Sequence, residues 1–186
     1  MTKCVFLENT KPNFQKALTD YNVYKMKQEL LDEFFFEKKL NSAYEFVYEF
    51  FTIETSGFHK QIVRQGQPFN RIYFIYSGQV KLFQLVQEQK EKSVLLNTQA
   101  KQSIKELFCI SKGFLLGLWE YINKTTTYQC STQVVSNKVE VLSISKENFK
   151  YLYQVRILQN FLNMKEQHVR TSFDYQAQNN NRLIQV

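Results

Sequence analysis

The fold is decided by the stretch Arg71–Leu82, which reads RIYFIYSGQVKL. Ile72, Phe74 and Tyr76 alternate with the residues between them, and this period of two in aromatic and β-branched residues predicts a strand. Gly78 follows, and glycine reaches the positive φ of a tight reversal without a steric penalty. The stretch therefore predicts two strands that meet at Gly78.

Similar signals continue on both sides of this stretch. Upstream, residues 61–69 read QIVRQGQPF, with Gly66 as a turn between two short runs. Downstream come residues 113–118 (GFLLGL), residues 128–132 (YQCST) and residues 139–149 (VEVLSISKENF), the last of which reads as a strand entering a capped helix. Turn residues that separate short strand-like runs at close intervals are typical of an antiparallel β fold.

This ordered set of segments resembles the cyclic nucleotide-binding domain family. The resemblance covers roughly residues 40–170. It implies an α+β fold, an antiparallel β-roll (double-sheet jelly roll) with N-terminal helices and C-terminal lid helices. The strands are predicted near residues 52–56, 61–65, 71–77, 79–86, 93–98, 104–110, 127–135 and 138–144.

The flanking regions carry signals of their own. Apolar residues recur mostly at helical spacing over residues 12–51, and an apolar face also follows the serine cap at Ser145. The run QAQNNN near the C-terminus has almost no apolar content, which predicts a flexible segment. Four regions result: an N-terminal helical extension (1–51), the β-roll (52–145), C-terminal helices (146–175) and a flexible tail (176–186).

The family's ligand site is a short cassette, which corresponds here to residues 113–132. In the family, backbone amides and a helix start cradle the cyclic phosphate, an arginine pairs with its charge, and a glutamate takes the ribose hydroxyl. The resemblance places Leu118 at the glutamate position and Gln129 at the arginine position, or Thr125 or Thr127 in a shifted register. None of these residues can replace the family's glutamate or arginine. Leucine accepts no hydrogen bond from the ribose, and a neutral amide or hydroxyl cannot pair with phosphate bidentately.

Two neighbouring residues could act as substitutes in the cassette. Glu120 could reach the ribose and Lys124 could supply a point charge, but we interpret both as solvated surface residues. Trp119, the sole tryptophan, could fill the cavity that a purine or ribose otherwise occupies, which is a form of core packing. The candidate ligand-binding residues are Gly117, Leu118, Trp119, Glu120, Lys124, Gln129, Cys130 and Ser131.

Length and composition limit the class of protein. The chain has 186 residues and a formal net charge of +7, with the positive excess beyond residue 60. This length fits one domain with extensions. Cys4, Cys109 and Cys130 are widely separated and are expected to be free thiols in a reducing compartment. No apolar run approaches a membrane span and no signal peptide is visible after Met1, which predicts a cytoplasmic protein.

Little in the sequence favours catalysis or metal binding. The two histidines, His59 and His168, cannot assemble a histidine cluster of the kind found in cupin enzymes. The sequence also lacks a nucleophile elbow, a Walker phosphate loop and a paired-cysteine site. We therefore expect no catalytic residues, no metal and no cofactor.

These features predict a non-catalytic interaction or structural subunit of a larger assembly, with protein partners and without conventional cAMP or cGMP binding. The alternative is a sensor of cAMP or cGMP that binds through backbone amides, Lys124 and Glu120. A third hypothesis, binding of nucleic acid or acidic lipid by the basic half, is not favoured because its lysines form no clustered stripe. The bias toward Asn, Gln, Lys, Phe and Tyr resembles that of ciliate proteins, which suggests a cilium or axoneme as the location.

Overall fold

The computed structural model describes residues 11–35, 46–87, 102–152, 154 and 156–183. The chain divides into two compact units, residues 1–49 and residues 50–186. No helix in the described part of the chain is long and apolar enough to cross a membrane.

The first unit contains helix α1 (Lys11–Phe35) and the short helix α2 (Phe46–Glu49). Tyr48 ties the two together, because its hydroxyl donates to Oδ1 of Asp32 at 3.1 Å and its ring meets that of Tyr24 edge-on. Within the stretch predicted to be helical, residues 12–51, the structure has helix up to Phe35 and again over Phe46–Glu49, whereas Phe51 already belongs to a strand. Residues 36–45 lie outside the described residues.

In its described residues, the second unit contains two antiparallel sheets and three helices. The strands are β1 (Phe51–Gly57), β2 (Arg71–Ser77), β3 (Val80–Gln87), β4 (Gln102–Ile110), β5 (Leu115–Leu116), β6 (Ser131–Val134) and β7 (Lys138–Ser145). One sheet has the order β1-β7-β2-β5 and the other has the order β4-β3-β6. The helices are α3 (Leu118–Ile122), α4 (Lys146–Leu152) and α5 (Arg156–Leu183). This arrangement confirms the predicted α+β β-roll.

The chain passes from one sheet to the other at Gly78. Its φ is +84°, and a Cβ at this position would strike the carbonyl oxygen of Lys138 and the side chain of Val139. Only glycine satisfies both conditions, because L-residues disfavour this φ and the neighbouring backbone leaves no space. Gly78 therefore allows β2 and β3 to belong to different sheets.

The core lies along the strands that the sequence pattern identified. Phe74 of β2 is fully buried, and its ring contacts that of Phe51 edge-on with 5.2 Å between the ring centroids. The ring centroid of Phe149 in α4 lies 6.3 Å from that of Phe74. In the second sheet, Val80 and Leu82 are completely buried. Burying one such side chain contributes roughly 1.5–3 kcal/mol, so these residues hold the helices and both sheets in place around the cassette.

Three predictions differ from the structure by more than one or two residues at the end of an element. Residues 61–65 form no regular strand, because hydroxyls of β6 take up several of their backbone N–H groups. The strand predicted over residues 127–135 begins only at Ser131, after a turn. Helix α5 continues to Leu183, into the segment where composition predicts a flexible tail, since extending an existing helix costs less than starting one. The strand predicted at residues 93–98 lies outside the described residues.

Candidate ligand-binding cassette

The cassette begins where β5 turns into α3 at Gly117. This residue is the N-cap of α3 in the left-handed conformation, with φ +92°. A Cβ here would lie 2.9 Å from the carbonyl oxygen of Arg71 and 3.2 Å from Cε2 of Phe69. Such contacts are too close for any larger residue, so Gly117 lets α3 start directly against β2.

The first turn of α3 places Leu118 and Glu120 inside the protein, with 0% and 2% of their surfaces exposed. Oε1 of Glu120 accepts a hydrogen bond from the backbone N–H of Gln129 at 2.9 Å. Burial raises the pKa of the Glu120 carboxyl, and the hydrogen bond partly offsets this effect. The interpretation of Glu120 as a solvated residue is therefore wrong, because the closing segment of the cassette folds over it.

Gln129, at the position where the family has its arginine, is bound within its own turn. Its side-chain Nε2 donates to the backbone carbonyl oxygen of Thr127 at 2.9 Å. The backbone carbonyl oxygen of Gln129 accepts a hydrogen bond from Nε2 of Gln84 at 3.1 Å. Thr125, a shifted-register candidate, donates through Oγ1 to the same Thr127 oxygen at 3.1 Å. Lys124 is exposed, as interpreted from the sequence, and has φ +54°.

The residues after Gln129 are buried and are used to hold the roll together. Burial, with a smaller effect of Glu120, raises the pKa of the Cys130 thiol to about 12. Oγ of Ser131 accepts from the backbone N–H of Gln65 at 2.9 Å. Cys109 of β4, by contrast, is exposed.

A group of aromatic rings covers the cassette from the side of α5. Trp119 stacks on Phe173 of α5, with ring centroids 4.6 Å apart and planes 21° apart. Phe108 of β4 meets Phe173 edge-on at 5.4 Å, and Phe114 meets both Phe108 and His168 at 6.0 and 6.2 Å. We call these five residues the aromatic cluster.

Of the aromatic cluster, the sequence analysis named only Trp119 as a candidate ligand-binding residue. Phe173 lies eleven residues beyond Leu162 and four residues beyond Val169, two buried positions of α5, and these spacings put the three residues on one face of the helix. That helical spacing was a usable signal for Phe173. Phe108 carried no signal, because only the tertiary fold brings β4 to α5.

The space beside the aromatic cluster is small. A cleft of about 180 Å³ lies between α5 and the turn after β4, with Phe108, Phe114, Lys165 and His168 in its walls. Burial lowers the pKa of the Lys165 ammonium there. Pockets for small molecules typically measure about 300–1,000 Å³, so this cleft is smaller than a typical small-molecule pocket.

Both arginines of the roll are engaged away from the cassette. Nε of Arg64 donates to Oε1 of Gln61 at 2.6 Å. An Nη of Arg71 donates to Oε1 of Glu54 at 3.1 Å and to Oγ of Ser143 at 2.7 Å. Neither of these two guanidinium groups therefore bonds to the segment that would receive a phosphate.

A family model described as "Cyclic nucleotide-binding domain" matches residues 59–156, which include the entire cassette and the strands β2 to β7. The chain belongs to the cyclic nucleotide-binding domain family. No curated protein sequence matches it.

Solved structures share the fold of this cyclic nucleotide-binding domain at low sequence identity. The c-di-GMP responsive global regulator CLP of Xanthomonas campestris has a TM-score of 0.58 and 15% identity, over 75% of this chain and 61% of that one. The regulatory subunit of a cAMP-independent protein kinase A from Trypanosoma brucei has 0.57 and 14%, over 80% and 49%. A cAMP-binding acyltransferase from Mycobacterium smegmatis has 0.56 and 16%, over 76% and 40%. The chain thus spans only part of the length of each of these proteins.

Proposed function

We propose that this cyclic nucleotide-binding domain is a non-catalytic interaction or structural subunit of a larger assembly, without conventional cAMP or cGMP binding. The observation that carries the proposal is the buried carboxylate of Glu120, hydrogen-bonded to the backbone N–H of Gln129. An acidic group of the protein itself thus occupies a backbone donor in the segment where the family binds an anion.

The charge of the cassette supports this proposal. A cyclic phosphate needs hydrogen-bond donors and a compensating positive charge. Ionised Glu120 would repel a phosphate, and protonated Glu120 would supply no positive charge to hold it. Gln129 and Leu118 add neither a cation nor a ribose acceptor.

The aromatic cluster supports the proposal independently. In the family, the helices that follow the roll fold over the ligand as a lid. Here α5 is already held to the cassette by the stack of Phe173 on Trp119. An offset aromatic pair contributes about 0.5–1.5 kcal/mol beyond its area burial, so the lid has a protein contact in place of a ligand contact.

The setting we propose is an assembly of proteins. One similar structure is described as the regulatory subunit of a cAMP-independent kinase, so this fold serves regulation apart from cAMP in at least that protein. The amino-acid bias noted above, similar to that of ciliate proteins, leads us to place the assembly in the cytoplasm, with a ciliary axoneme as the specific proposal. Catalysis forms no part of the proposed function.

Titration of the full chain with cAMP and with cGMP tests the proposal. A ligand at about 100 times its dissociation constant stabilises the folded state by about 2.7 kcal/mol, a shift of several degrees in the thermal midpoint. We expect no shift with micromolar nucleotide and no change in Trp119 fluorescence. The variant Trp119→Phe, which removes the sole tryptophan, is the control for the optical signal. A saturable shift with either nucleotide would instead support the sensor.

A further inference from the structure

A groove lies on the outer face of the β4-β3-β6 sheet, away from the cassette. It has a volume of about 540 Å³. Its floor is formed by Phe83 and Leu85 of β3 and by Ile104 of β4, which the strand register brings side by side. Leu85 and Ile104 are 41% and 65% exposed, whereas Leu82, on the inner face of β3, is fully buried. The groove therefore presents an exposed apolar floor.

Strand β3 extends beyond its neighbour β6 at one end of this groove. β6 pairs with β3 only from Val80 to Phe83. At Leu85 the backbone N–H donates to Oε1 of Gln65 at 2.7 Å, and the carbonyl accepts from Nε2 of Gln65 at 3.4 Å. A side-chain amide thus occupies the place of a peptide group from an adjoining strand.

The unpaired charge at the groove is positive. Arg64 is exposed on one wall, and among the described residues its guanidinium bonds only to Gln61, through Nε. Glu106 on the opposite wall is paired with Lys81 at 2.6 Å. One cation thus remains without an opposite charge, and two glutamines, Gln61 and Gln65, supply further polar contacts.

We propose that this groove binds an extended, acidic segment of a partner protein, which adds as a short strand beside β3 at Leu85. The segment's backbone would replace the amide of Gln65, a side-chain carboxylate would pair with Arg64, and an apolar side chain two positions away would lie against Leu85. Strand addition of this kind takes affinity from main-chain hydrogen bonds and specificity from alternate side chains. The inference rests on the proposed function as an interaction subunit, and it names the class of partner.

Selection of a random library of peptides of about nine residues on the full chain is the test, because this length covers a typical strand. We expect enriched peptides to contain Asp or Glu with β-branched or aromatic residues at alternate positions. Synthetic copies of an enriched peptide are then measured by fluorescence anisotropy. Arg64→Ala should weaken binding about tenfold, whereas Arg170→Ala, an equal charge change on α5, should leave it unchanged.

Removal of the Gln65 side-chain amide should have the opposite effect on peptide affinity. Gln65→Ala frees the N–H of Leu85 and should tighten binding. In the unaltered chain, an enriched peptide should slow hydrogen exchange of the Leu85 amide, a readout that needs no variant to fold. Enriched peptides without carboxylates, equal effects of the two arginine variants, or weaker binding by Gln65→Ala would overturn the inference.

Two further outcomes are distinguishable. Self-association of the chain that requires Arg64, with no peptide enriched, would overturn the inference in favour of a second copy as occupant. The nucleotide titration does not involve the groove. If the chain binds both peptide and nucleotide, the inference about the groove stands and the proposed function is refuted. If the chain binds neither, the inference about the groove is refuted and the proposed function stands.

Discussion

The carboxylate of Glu120 accepts a hydrogen bond from the backbone N–H of Gln129 at 2.9 Å, which joins the cassette helix to the segment that closes the cassette. The acceptor is almost completely buried. One contact thereby both shapes the closing turn and places an acid where the family receives a phosphate.

Glu120→Gln keeps the acceptor oxygen and removes the acid. The pKa of Glu120 is raised by burial in the folded protein, so its contribution to stability is fully present below its ordinary pKa and is lost as pH rises through the raised value. We expect the variant to match the wild type near pH 4 and to raise the thermal midpoint by about 2–4 °C near pH 8. Thermal unfolding as a function of pH measures this difference.

Glu140→Gln is the control of opposite sign. Hydrogen bonds from Lys138 and Ser77 lower the pKa of Glu140, so its contribution is present above its ordinary pKa and is lost as pH falls. This variant should lower the thermal midpoint slightly near neutral pH and not in acid. A fall in the midpoint of Glu120→Gln at pH 8 would contradict the assignment of Glu120 as a buried, destabilising acid.

Thr132 holds the segment before Gly66 against β6. Its Oγ1, fully buried, accepts from the backbone N–H groups of Ile62 and Val63, both at 3.0 Å. Thr132→Val leaves these donors without an acceptor and should lower the free energy of unfolding by about 2–4 kcal/mol. Thr132→Ser keeps the hydroxyl and should cost clearly less. Chemical denaturation compares the two, and equal losses would show that the methyl group, not the hydroxyl, matters.

Phe173→Ala removes one ring of the stack on Trp119. The exposed surface of Trp119 should increase, so its emission should shift to longer wavelength, and the free energy of unfolding should fall by about 2 kcal/mol. Met164→Ala, at a half-exposed position of the same helix, is the matched control and should change neither quantity appreciably. An unchanged emission spectrum in Phe173→Ala would show that the stack does not hold α5 in solution.

Substitutions at two glycines distinguish the cost of an unfavourable φ from the cost of steric crowding. Gly66 and Gly78 have nearly equal φ, +82° and +84°, but a Cβ at Gly66 meets nothing within 4 Å whereas one at Gly78 strikes the carbonyl of Lys138. Gly66→Ala should therefore cost about 1 kcal/mol from φ alone. Gly78→Ala should cost at least about 2 kcal/mol more, because backbone must move. Similar losses in thermal or chemical unfolding would contradict the close approach at Gly78.

The sequence was sufficient for the fold because the relevant signals are local. Alternation in residues 71–77 and the turn at Gly78 each follow from neighbouring residues. The burial of Glu120 could not be predicted, since α3 has only five residues and shows no periodicity, and its partner Gln129 is brought to it by a turn. The meeting of Phe108 with Phe173 likewise depends on the packing of α5, which no local pattern encodes.

The docking of Phe173 on Trp119 also affects how the domain could transmit a signal. A ligand shifts a conformational equilibrium only by the difference between its affinities for the two states. A lid that its own side chains hold closed leaves little difference for a ligand to act on. The cassette face of α5 would then keep one conformation whether or not nucleotide is present. A partner bound to this face would bind with the same affinity at every nucleotide concentration.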